Sequence, residues 1–398
     1  MGEARRDTGP AVPPGSPLTG PGFFKPISAA LERLHSAGTK RDNAGNRRLF
    51  CDQYVSLLLL YFFNSSITSL RGLRQATGWD QARRTLGIPA TSLGSLSEAQ
   101  RVFDAELLEP IIAELAGAAL PLCTGKEAEA LKGLTAVDGT FFAALPRMAW
   151  ALWQDERHRG AKLHLHFDVL KGVPRAAGVT PAAGSEAAEL ARTLEENRLY
   201  VLDRGYANYE LFAAVLAAGS SFVARVQDRT AYREPKENPI GQEAHAAGVV
   251  RDFVAHRLGN GRHGDPIGRP VRIVVVRVGQ RGGERSDLWL ATDRLDLPAD
   301  LVALAYKYRW TIELFFRWLK CILGARHLIA HSPNGVQLQM YAALIVSLLI
   351  VLRTGRKPTK RTYEMIQFYL LGWVSDAEFD AHLAKLKRDD AGDPQKNG

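Results

Sequence analysis

The sequence predicts an α/β protein in which a mixed β-sheet is interrupted by a β-rich insertion and flanked by helical regions. Strand-like and helical segments alternate between about residues 134 and 226, an order typical of α/β folds. Residues 227–289 are turn-rich and contain further strand-like runs. Before and after these segments, apolar residues recur at the spacing of helices.

Size, charge and cysteine usage narrow the class of protein. The chain has 398 residues, more than one hydrophobic core usually serves, so we expect two or more domains. Its formal net charge of +9 favours a polyanionic partner, of which nucleic acid is the commonest, although many basic proteins bind none. The 3 cysteines are scattered without zinc spacing, which predicts a reduced, cytoplasmic setting and no disulfide scaffold.

We expect no membrane span. The two longest apolar runs are YVSLLLLYFF (54–63) and AALIVSLLIVL (342–352). Both are shorter than the roughly 20 residues that cross a bilayer, so we interpret them as buried core helices. Residues 1–22 are rich in Gly and Pro and lack the apolar segment of a leader, which predicts a disordered tail.

The N-terminal region, residues 23–125, has a helical pattern. LLLLYFFNSSITSLRGLRQAT contains one apolar helix, an Asn-Ser-Ser break and a second helix that carries Arg71 and Arg74. An all-helical region that carries arginines suits DNA binding. A helical packing domain explains the same pattern equally well, so both interpretations stay open.

The predicted core begins with three strands that suit an antiparallel meander: LTAVDGT, KLHLHFDVL and GVPRAAGVT. Later strands would be added through helical crossovers, after SEAAELARTLEEN, which Ser185 caps, and after YELFAAVLAAG. We therefore divide the chain into a tail, a helical region, a core in two parts, an insertion and C-terminal helices suited to dimerisation: 1–22, 23–125, 126–226 with 290–330, 227–289 and 331–398.

Two acidic residues have matching contexts. Asp138 and Asp203 each end a buried-looking strand and are followed closely by Gly. Ligands of open α/β sheets bind beyond the carboxyl ends of strands, so two such carboxylates would lie close together. A divalent metal would remove their repulsion, and oxygen ligands select Mg²⁺ or Mn²⁺. Alternatively, each aspartate only terminates its strand and bonds the turn amides.

The stretch YKYRWTIELFFRWLK, residues 306–320, reads as one helix with two stripes. The apolar stripe comprises Ala305, Ile312, Phe315, Leu319 and Leu323. The opposite stripe collects Tyr306, Arg309, Trp310, Glu313, Arg317 and Lys320. A solvated face with i,i+4 ion pairs explains the charges of this second stripe, but it does not explain the two aromatic residues.

The spacing Tyr306-x2-Arg309-x3-Glu313-x6-Lys320 resembles the Tyr-Arg-Glu-Lys signature of one branch of DDE transposases of bacterial insertion sequences, the IS-four group. Residues 136–140 (AVDGT) resemble the first-aspartate motif of that family, and residues 202–206 (LDRGY) resemble its second. The strand at residues 221–225 (SFVAR) and a β-rich insertion before the glutamate also match. The resemblance covers about residues 130–325.

The resemblance implies an RNase-H-like core in which Asp138, Asp203 and Glu313 hold two Mg²⁺ ions, with Mn²⁺ able to substitute. The implied reaction is phosphoryl transfer: water nicks the element end, and the freed 3′-hydroxyl then attacks target DNA. Relatives in this branch excise through a hairpin on the transposon end, and we expect the same here. The implied partner is double-stranded DNA, both element ends and target, bound by a homodimer.

The resemblance also assigns DNA-binding roles. Arg309 and Lys320 would hold phosphates beside the metals, Tyr306 would bond a phosphate, and Arg225 is a further candidate. Trp289 lies roughly where the family places an aromatic residue that stacks on a flipped base. Trp310 is the rival for that role, and an ordinary buried strand tryptophan explains Trp289 as well.

Two other classes of function remain open beside the active transposase. One is a DNA-binding remnant that has lost catalysis, and the other is an RNase-H-like nuclease with a host role. Short inverted repeats around the reading frame would favour either transposase interpretation over the nuclease. Outside the acidic residues, His164 and His166 share one strand face, and we expect structural hydrogen bonds from them, since hard metals do not need imidazole.

Overall fold

The computed structural model describes residues 21–35, 37, 47–80, 83, 87–143, 148–151, 160–259, 266–279 and 285–392. The predicted tail at residues 1–22 lies outside these residues except for its last two, which begin the first helix. The described strands form a mixed β-sheet, and helices surround it, so the predicted α/β class is confirmed.

The sheet has nine strands in the order β3-β2-β1-β4-β5-β9-β8-β7-β6. Their bounds are β1 Leu134–Ala143, β2 Gly160–Asp168, β3 Val173–Pro181, β4 Leu199–Leu202, β5 Ser221–Val226, β6 Tyr232–Glu237, β7 Val249–Leu258, β8 Val271–Gly279 and β9 Arg285–Thr292. Strands β1 to β3 are antiparallel neighbours, whereas β4 pairs parallel with β1, and β5 pairs parallel with β4. This order and these directions are those of the predicted RNase-H-like core.

The strands of the β-rich insertion extend the same sheet. β9 pairs antiparallel with β5, and β8, β7 and β6 follow outward by antiparallel pairing. The sheet therefore runs without a break from the core into the insertion. The core and the insertion therefore share one continuous β-sheet.

Helices precede, interrupt and follow the sheet. Those before it are α1 Pro21–Glu32, α2 Cys51–Phe63, α3 Leu70–Ala76, α4 Leu93–Val102, α5 Glu109–Ala118 and α6 Lys126–Ala130. Those within it are α7 Glu186–Arg192, α8 Tyr209–Ala217 and α9 Gln242–Ala246. Those after it are α10 Ala299–Tyr308, α11 Trp310–Cys321, α12 Pro333–Thr354, α13 Lys360–Leu370 and α14 Asp376–Gly392. The Ser185 hydroxyl accepts from the Ala188 amide, which confirms the predicted N-cap of α7.

Helix α12 is the central helix of the all-helical side. Its 22 residues are long and apolar enough to cross a membrane by length and composition, with a mean hydropathy of 2.0 over the most apolar window. In the protein, 89% of that window is buried, and α12 packs against α2, α5 and β3. The interpretation of residues 342–352 as a core helix is therefore confirmed.

Two expectations about local structure are wrong. We expected one helix across residues 306–320, but the chain forms α10 and α11 with a turn at Arg309. We also expected Asp138 to end its strand, but β1 continues to Ala143. Antiparallel pairing with β2 carries β1 onward, with Asp138 opposite Leu165, although its parallel pairing with β4 stops earlier.

Candidate active site

Asp138 and Asp203 lie on neighbouring strands at the same level. The parallel register of β1 and β4 pairs Ala136 with Val201, and each aspartate follows two residues later. Side chains two residues apart on a strand share a face, so both carboxylates project from the face of the sheet that Ala136 and Val201 share. Adjacent strands are about 4.8 Å apart, which brings the two aspartates together.

The local backbone fixes Asp203. It follows β4 directly and precedes a short 3₁₀ turn, Arg204–Tyr206, whose first amide donates to the Asp203 carboxylate at 2.6 Å. The Tyr306 hydroxyl, from the end of α10, donates to the same oxygen at 3.2 Å. Burial first, and then the charge of Asp203, raise the pKa of the Tyr306 phenol. Asp203 is therefore oriented from two separate parts of the chain.

The turn between α10 and α11 positions the rest of the site. The Arg309 amide donates to the Tyr306 carbonyl at 3.1 Å, and the Ile312 amide donates to the Arg309 carbonyl at 3.3 Å, so the turn is tighter than an α-helix. All five residues of the predicted apolar stripe are buried: Ala305, Ile312, Phe315, Leu319 and Leu323. Their burial holds the opposite side of both helices toward the aspartates.

Arg309 connects the three predicted acids. Its guanidinium donates to the Glu313 carboxylate at 2.7 Å, with Arg309 only 11% exposed. Burial opposes its charge, yet the hydrogen bond that it donates to Glu313 and the charge of Asp203 hold the pKa of Arg309 above its usual value. The Arg309 charge also acts on Asp138. Arg309 is thus paired with Glu313, and its charge acts on Asp138 and Asp203, which come from two other elements.

The environment of Asp138 changes the pKa of its carboxyl. Burial raises the pKa of its carboxyl to about 6, and the charges of Glu186 and Glu313 add to the increase. The Gly139 amide, 2.8 Å from the carboxylate, and Arg309 oppose the shift. A carboxyl that is held in a negative, half-buried setting stabilises any additional cation that reaches it.

The described residues contain no group of three or more His, Cys, Asp or Glu side chains close enough to hold a metal ion. The donor chemistry nevertheless fits a hard cation, because the three carboxylates supply only oxygen ligands. At present the Arg309 guanidinium takes the place of such a cation beside Glu313. A metal that bound the same Glu313 oxygen would displace Arg309 from it.

Lys320 lies farther along the same strand face. Its ammonium is 5.0 Å from the centre of the Phe142 ring, and Phe142 is four residues after Asp138 on β1. Burial lowers the pKa of Lys320. Helix α11 thus runs along β1, with Arg309 near Asp138 at its start and Lys320 near Phe142 at its end.

Arg225 and Trp289 line one cavity of about 690 Å³ between the core and the insertion. Arg204 and Arg277 line it as well, and Arg277 pairs with Asp287 at 2.9 Å. The Arg225 charge acts on Tyr306, and Arg204 follows Asp203 directly, so the cavity adjoins the acidic residues. We refer to it as the basic-aromatic cavity.

Trp289 is half-buried and packs on the insertion. Its ring lies 6.3 Å from that of Tyr232 and 6.2 Å from that of Phe253, centre to centre. Trp310, its predicted rival, is 56% exposed and begins α11 beside Arg309. Of the two indoles, Trp289 is therefore the one that lines a cavity.

Sequence reasoning missed Glu186 and two arginines of the cavity, Arg204 and Arg277. A Cβ atom on Gly139 would lie 2.6 Å from a Glu186 carboxylate oxygen, on the face of β1 opposite to Asp138, and the Glu186 charge still raises the pKa of Asp138. Lys162 pairs with it at 3.2 Å. The signal for Glu186 was its place at the start of α7, whereas nothing in the local sequence distinguishes Arg277.

The two histidines form the structural hydrogen bonds that we predicted. His164 lies 2.8 Å from the Thr180 hydroxyl, and His166 lies 3.1 Å from that of Thr193. Both rings are buried, and burial lowers the pKa of His166 to about 4. Both rings are therefore engaged in hydrogen bonds with threonine hydroxyls.

Comparisons with known proteins match most of the core. The family model described as a transposase DDE domain matches residues 129–349, more than half of the chain. A putative transposase, y4zB, of Sinorhizobium fredii is 29% identical over 248 residues, 62% of this chain and 66% of that protein. A probable transposase for insertion sequence element IS5377 of Geobacillus stearothermophilus is 26% identical over 221 residues, 55% and 56% of the two chains.

Among solved structures, a piggyBac transposase synaptic complex with hairpin DNA aligns with a TM-score of 0.44 at 9% identity, covering 91% of this chain and 81% of that one. The alignments with the two sequence relatives span less than two thirds of either relative. The matched family domain contains Asp138, Asp203 and Glu313. The chain belongs to the DDE transposase family.

Proposed function

We propose that this protein is an active transposase that cleaves the ends of an insertion sequence and joins their 3′-hydroxyls to target DNA. The observation that carries the proposal is the position of Arg309, which pairs with Glu313 and whose charge acts on both aspartates. Arg309 acts on Asp138, Asp203 and Glu313, which come from β1, the end of β4 and α11. If the charged side of α11 were only a solvated face, nothing would require Glu313 to lie near Asp138 and Asp203, which are distant in sequence.

The DDE transposase domain implies dependence on a divalent metal. We propose that Asp138, Asp203 and Glu313 hold two Mg²⁺ ions, which Mn²⁺ replaces. Bound there, the metals would supply the charge that activates the attacking oxygen and stabilises the leaving one. The protein contributes the orientation: Tyr306 holds Asp203, and the Gly139 amide holds Asp138.

The cations beside the acids suit DNA phosphates. Arg309 would exchange Glu313 for a phosphate when metal binds, and Lys320 would hold the strand farther along β1. In the basic-aromatic cavity, Arg225 would bind a phosphate beside Trp289, whose exposed face would stack on a base turned out of the duplex. Such a cavity suits a hairpin intermediate, and we propose one.

Recognition of the element ends falls to the helical region of residues 23–125, in which Arg71 and Arg74 on α3 are both exposed. Joining two ends requires two active sites in one assembly, so we propose a homodimer on DNA. The C-terminal helices, residues 331–398, are the proposed dimerisation region. The activity places the protein in the cytoplasm, where bacterial DNA lies.

The test uses DNA that carries the sequences on either side of the reading frame, where a transposase interpretation expects short inverted repeats. Wild-type protein in Mg²⁺ is expected to nick this DNA and to form a hairpin, and Glu313→Gln is expected to bind it without cleavage. Glu210→Gln, which replaces an exposed acid at the start of α8, is the matched control and should cleave normally. Cleavage by Glu313→Gln would mean that this acid is misassigned.

The two alternatives give different results in the same assay. Binding of the ends without nicking by the wild type would identify a remnant that has lost catalysis. Nicking without strand joining, on DNA that lacks inverted repeats, would identify an RNase-H-like nuclease. The proposal requires both end-dependent cleavage and joining.

A further inference from the structure

A buried ion pair joins two strands of the insertion. Arg272 on β8 donates to both carboxylate oxygens of Asp252 on β7, at 2.8 and 2.6 Å. The two side chains are only 9% and 3% exposed. The Asn238 side chain, just after β6, donates to the same carboxylate at 3.0 Å. Both charges are thus nearly out of water, and removal of one partner alone would leave the other buried and unpaired.

The same arginine also reaches the segment that precedes α10. Its remaining terminal nitrogen donates to the backbone carbonyl of Leu297, and to that of Leu295 at 3.4 Å. Leu297 is buried and is followed by Pro298, the residue before α10 begins. A buried carbonyl in irregular backbone needs a donor from elsewhere in the chain. Arg272 therefore fixes the point at which the chain enters α10.

Helix α10 packs on the insertion along its side as well. It contacts β7 and β8 in addition to β5 and β9. Its buried residues Ala299, Val302 and Ala305 belong to the same hydrophobic core as Val274 and Val276 of β8. The insertion therefore supports α10 through apolar packing and holds its start through Arg272.

Helix α10 leads directly into the candidate active site. Tyr306, in its last turn, donates to Asp203, and the turn at Arg309 then begins α11, which carries Glu313. The start of α10 lies roughly 11 Å from Tyr306 along the helix. A helix is a rigid element, so a displacement at its start is passed on to its end. The placement of Glu313 thus depends on the insertion as well as on the core.

We propose that Arg272 and Asp252 are positioning residues for the cleavage reaction, which set where Tyr306 and Glu313 lie relative to the two aspartates. They act through α10 and do not touch the substrate. A stability role does not require charge here, because well-packed apolar residues often replace a buried ion pair without loss. An apolar pair cannot bond the two carbonyls before α10, however. The proposal rests on the proposed DNA-cleaving function for the reaction that it concerns.

The test replaces both partners at once, by Asp252→Leu with Arg272→Met, so that no charge is left buried and unpaired. Urea unfolding of this double variant of the full chain is expected to give a midpoint close to that of the wild type. A second variant, Arg272→Lys, keeps a charge beside Asp252 but lacks the fork that bonds the carboxylate and the carbonyls together. The matched control is Glu237→Leu with Arg251→Met, which removes a more exposed pair between β6 and β7.

Hydrogen exchange followed by mass spectrometry reports on the helices without DNA or metal. In the double variant, the amides of α10 and α11 are expected to exchange about tenfold faster or more, because the bonds from a charged donor to the start of α10 are lost. Arg272→Lys should lie between the double variant and the wild type. The amides of α12 in every variant, and those of α10 and α11 in the control, are expected to exchange as in the wild type.

Cleavage of end-containing DNA then connects placement with chemistry. In a single turnover with saturating DNA and Mg²⁺, the double variant is expected to cleave about tenfold to a hundredfold more slowly, because a misplaced catalytic group slows the chemical step. Its dissociation constant for the same DNA, measured in EDTA, is expected to equal that of the wild type. The control is expected to bind and cleave normally.

The outcomes separate this proposal from the proposed function. Unchanged exchange of α10 and α11 in a folded double variant would overturn it, whatever the wild type does with DNA. An unchanged cleavage rate would also overturn it, as would a loss of DNA affinity large enough to explain slower cleavage. If the double variant does not fold, Arg272→Lys decides by the same two measurements. Faster exchange in a protein whose wild type does not cleave would refute the proposed function but support the role of the pair in placing α10.

Discussion

Replacing Arg309 by methionine removes the cation that pairs with Glu313 and acts on both aspartates, while keeping most of the apolar stem of the side chain. The Arg309–Glu313 pair is 2.7 Å long, with side-chain exposures of 11% and 31%, so it is neither fully exposed nor fully buried. Exposed pairs contribute about 0–1 kcal/mol, and breaking buried pairs costs about 3–5 kcal/mol. We therefore expect Arg309→Met to lower the free energy of unfolding by about 2 kcal/mol in EDTA.

Divalent metal should restore much of this loss. In Arg309→Met the carboxylates repel without a counter-ion, and Mg²⁺ no longer has to displace the guanidinium from Glu313. At about 10 mM Mg²⁺ and a dissociation constant of about 1 mM, the variant gains about 1.4 kcal/mol. The wild type should gain less, because Arg309 competes with the metal. Urea unfolding of both proteins, with and without Mg²⁺ at matched ionic strength, measures the difference.

The matched control is Arg251→Met. Arg251 pairs with Glu237 at 2.6 Å in the insertion, with exposures of 36% and 56% and no partner acids like those of the site. Its loss should be below about 1 kcal/mol and should not respond to Mg²⁺. If Mg²⁺ stabilises Arg309→Met no more than it stabilises Arg251→Met, the three acids do not form a metal site.

Two further predictions concern the frame of the site. The pKa of His166 is about 4 in the folded protein, against an ordinary value of 6.5. The unfolded chain therefore takes up the proton first, and stability is lost as pH falls from 6.5 toward 4. Urea unfolding should show a loss of about 2 kcal/mol from this group by pH 5. His166→Gln should flatten that dependence, whereas His245→Gln, at an exposed position, should not. Leu319→Ala on the buried stripe of α11 should lower the free energy of unfolding by about 2–5 kcal/mol. The control Leu314→Ala, at a 37% exposed position, should lower it by about 0.5 kcal/mol. Equal losses would mean that the stripe does not anchor the helix.

The strand and helix pattern predicted the core because apolar residues recur there at the spacing of strands and helices. The alternation in residues 162–170 gave β2, and the apolar stripe of residues 305–323 is buried as expected. The end of β1 was not predictable locally. Asp138-Gly139 has the composition of a turn, but pairing with β2, more than twenty residues later, keeps it in the strand. Pairing over that distance leaves no mark in the local pattern.

Some features of the candidate site were also predictable from the local sequence, and others were not. Motifs predicted the acids and Tyr306, and in the fold Tyr306 bonds Asp203 while Arg309 bonds Glu313. The catalytic role of the three acids stays a prediction. The turn at Arg309 was not predictable, because no Gly or Pro interrupts the helical pattern there. Glu186 and Arg277 reach the site only through tertiary structure, one from α7 beside Gly139 and the other from β8 across the cavity.

The central claim is that Asp138, Asp203 and Glu313 act as one catalytic unit. The most direct test is Mg²⁺-dependent cleavage of end-containing DNA by Asp138→Asn, Asp203→Asn, Glu313→Gln and the triple variant, each shown to bind the DNA. Residues that act as a unit are not additive, so each single change should abolish cleavage as completely as the triple change does. Cleavage by any single variant well above the level of the triple variant would contradict the claim.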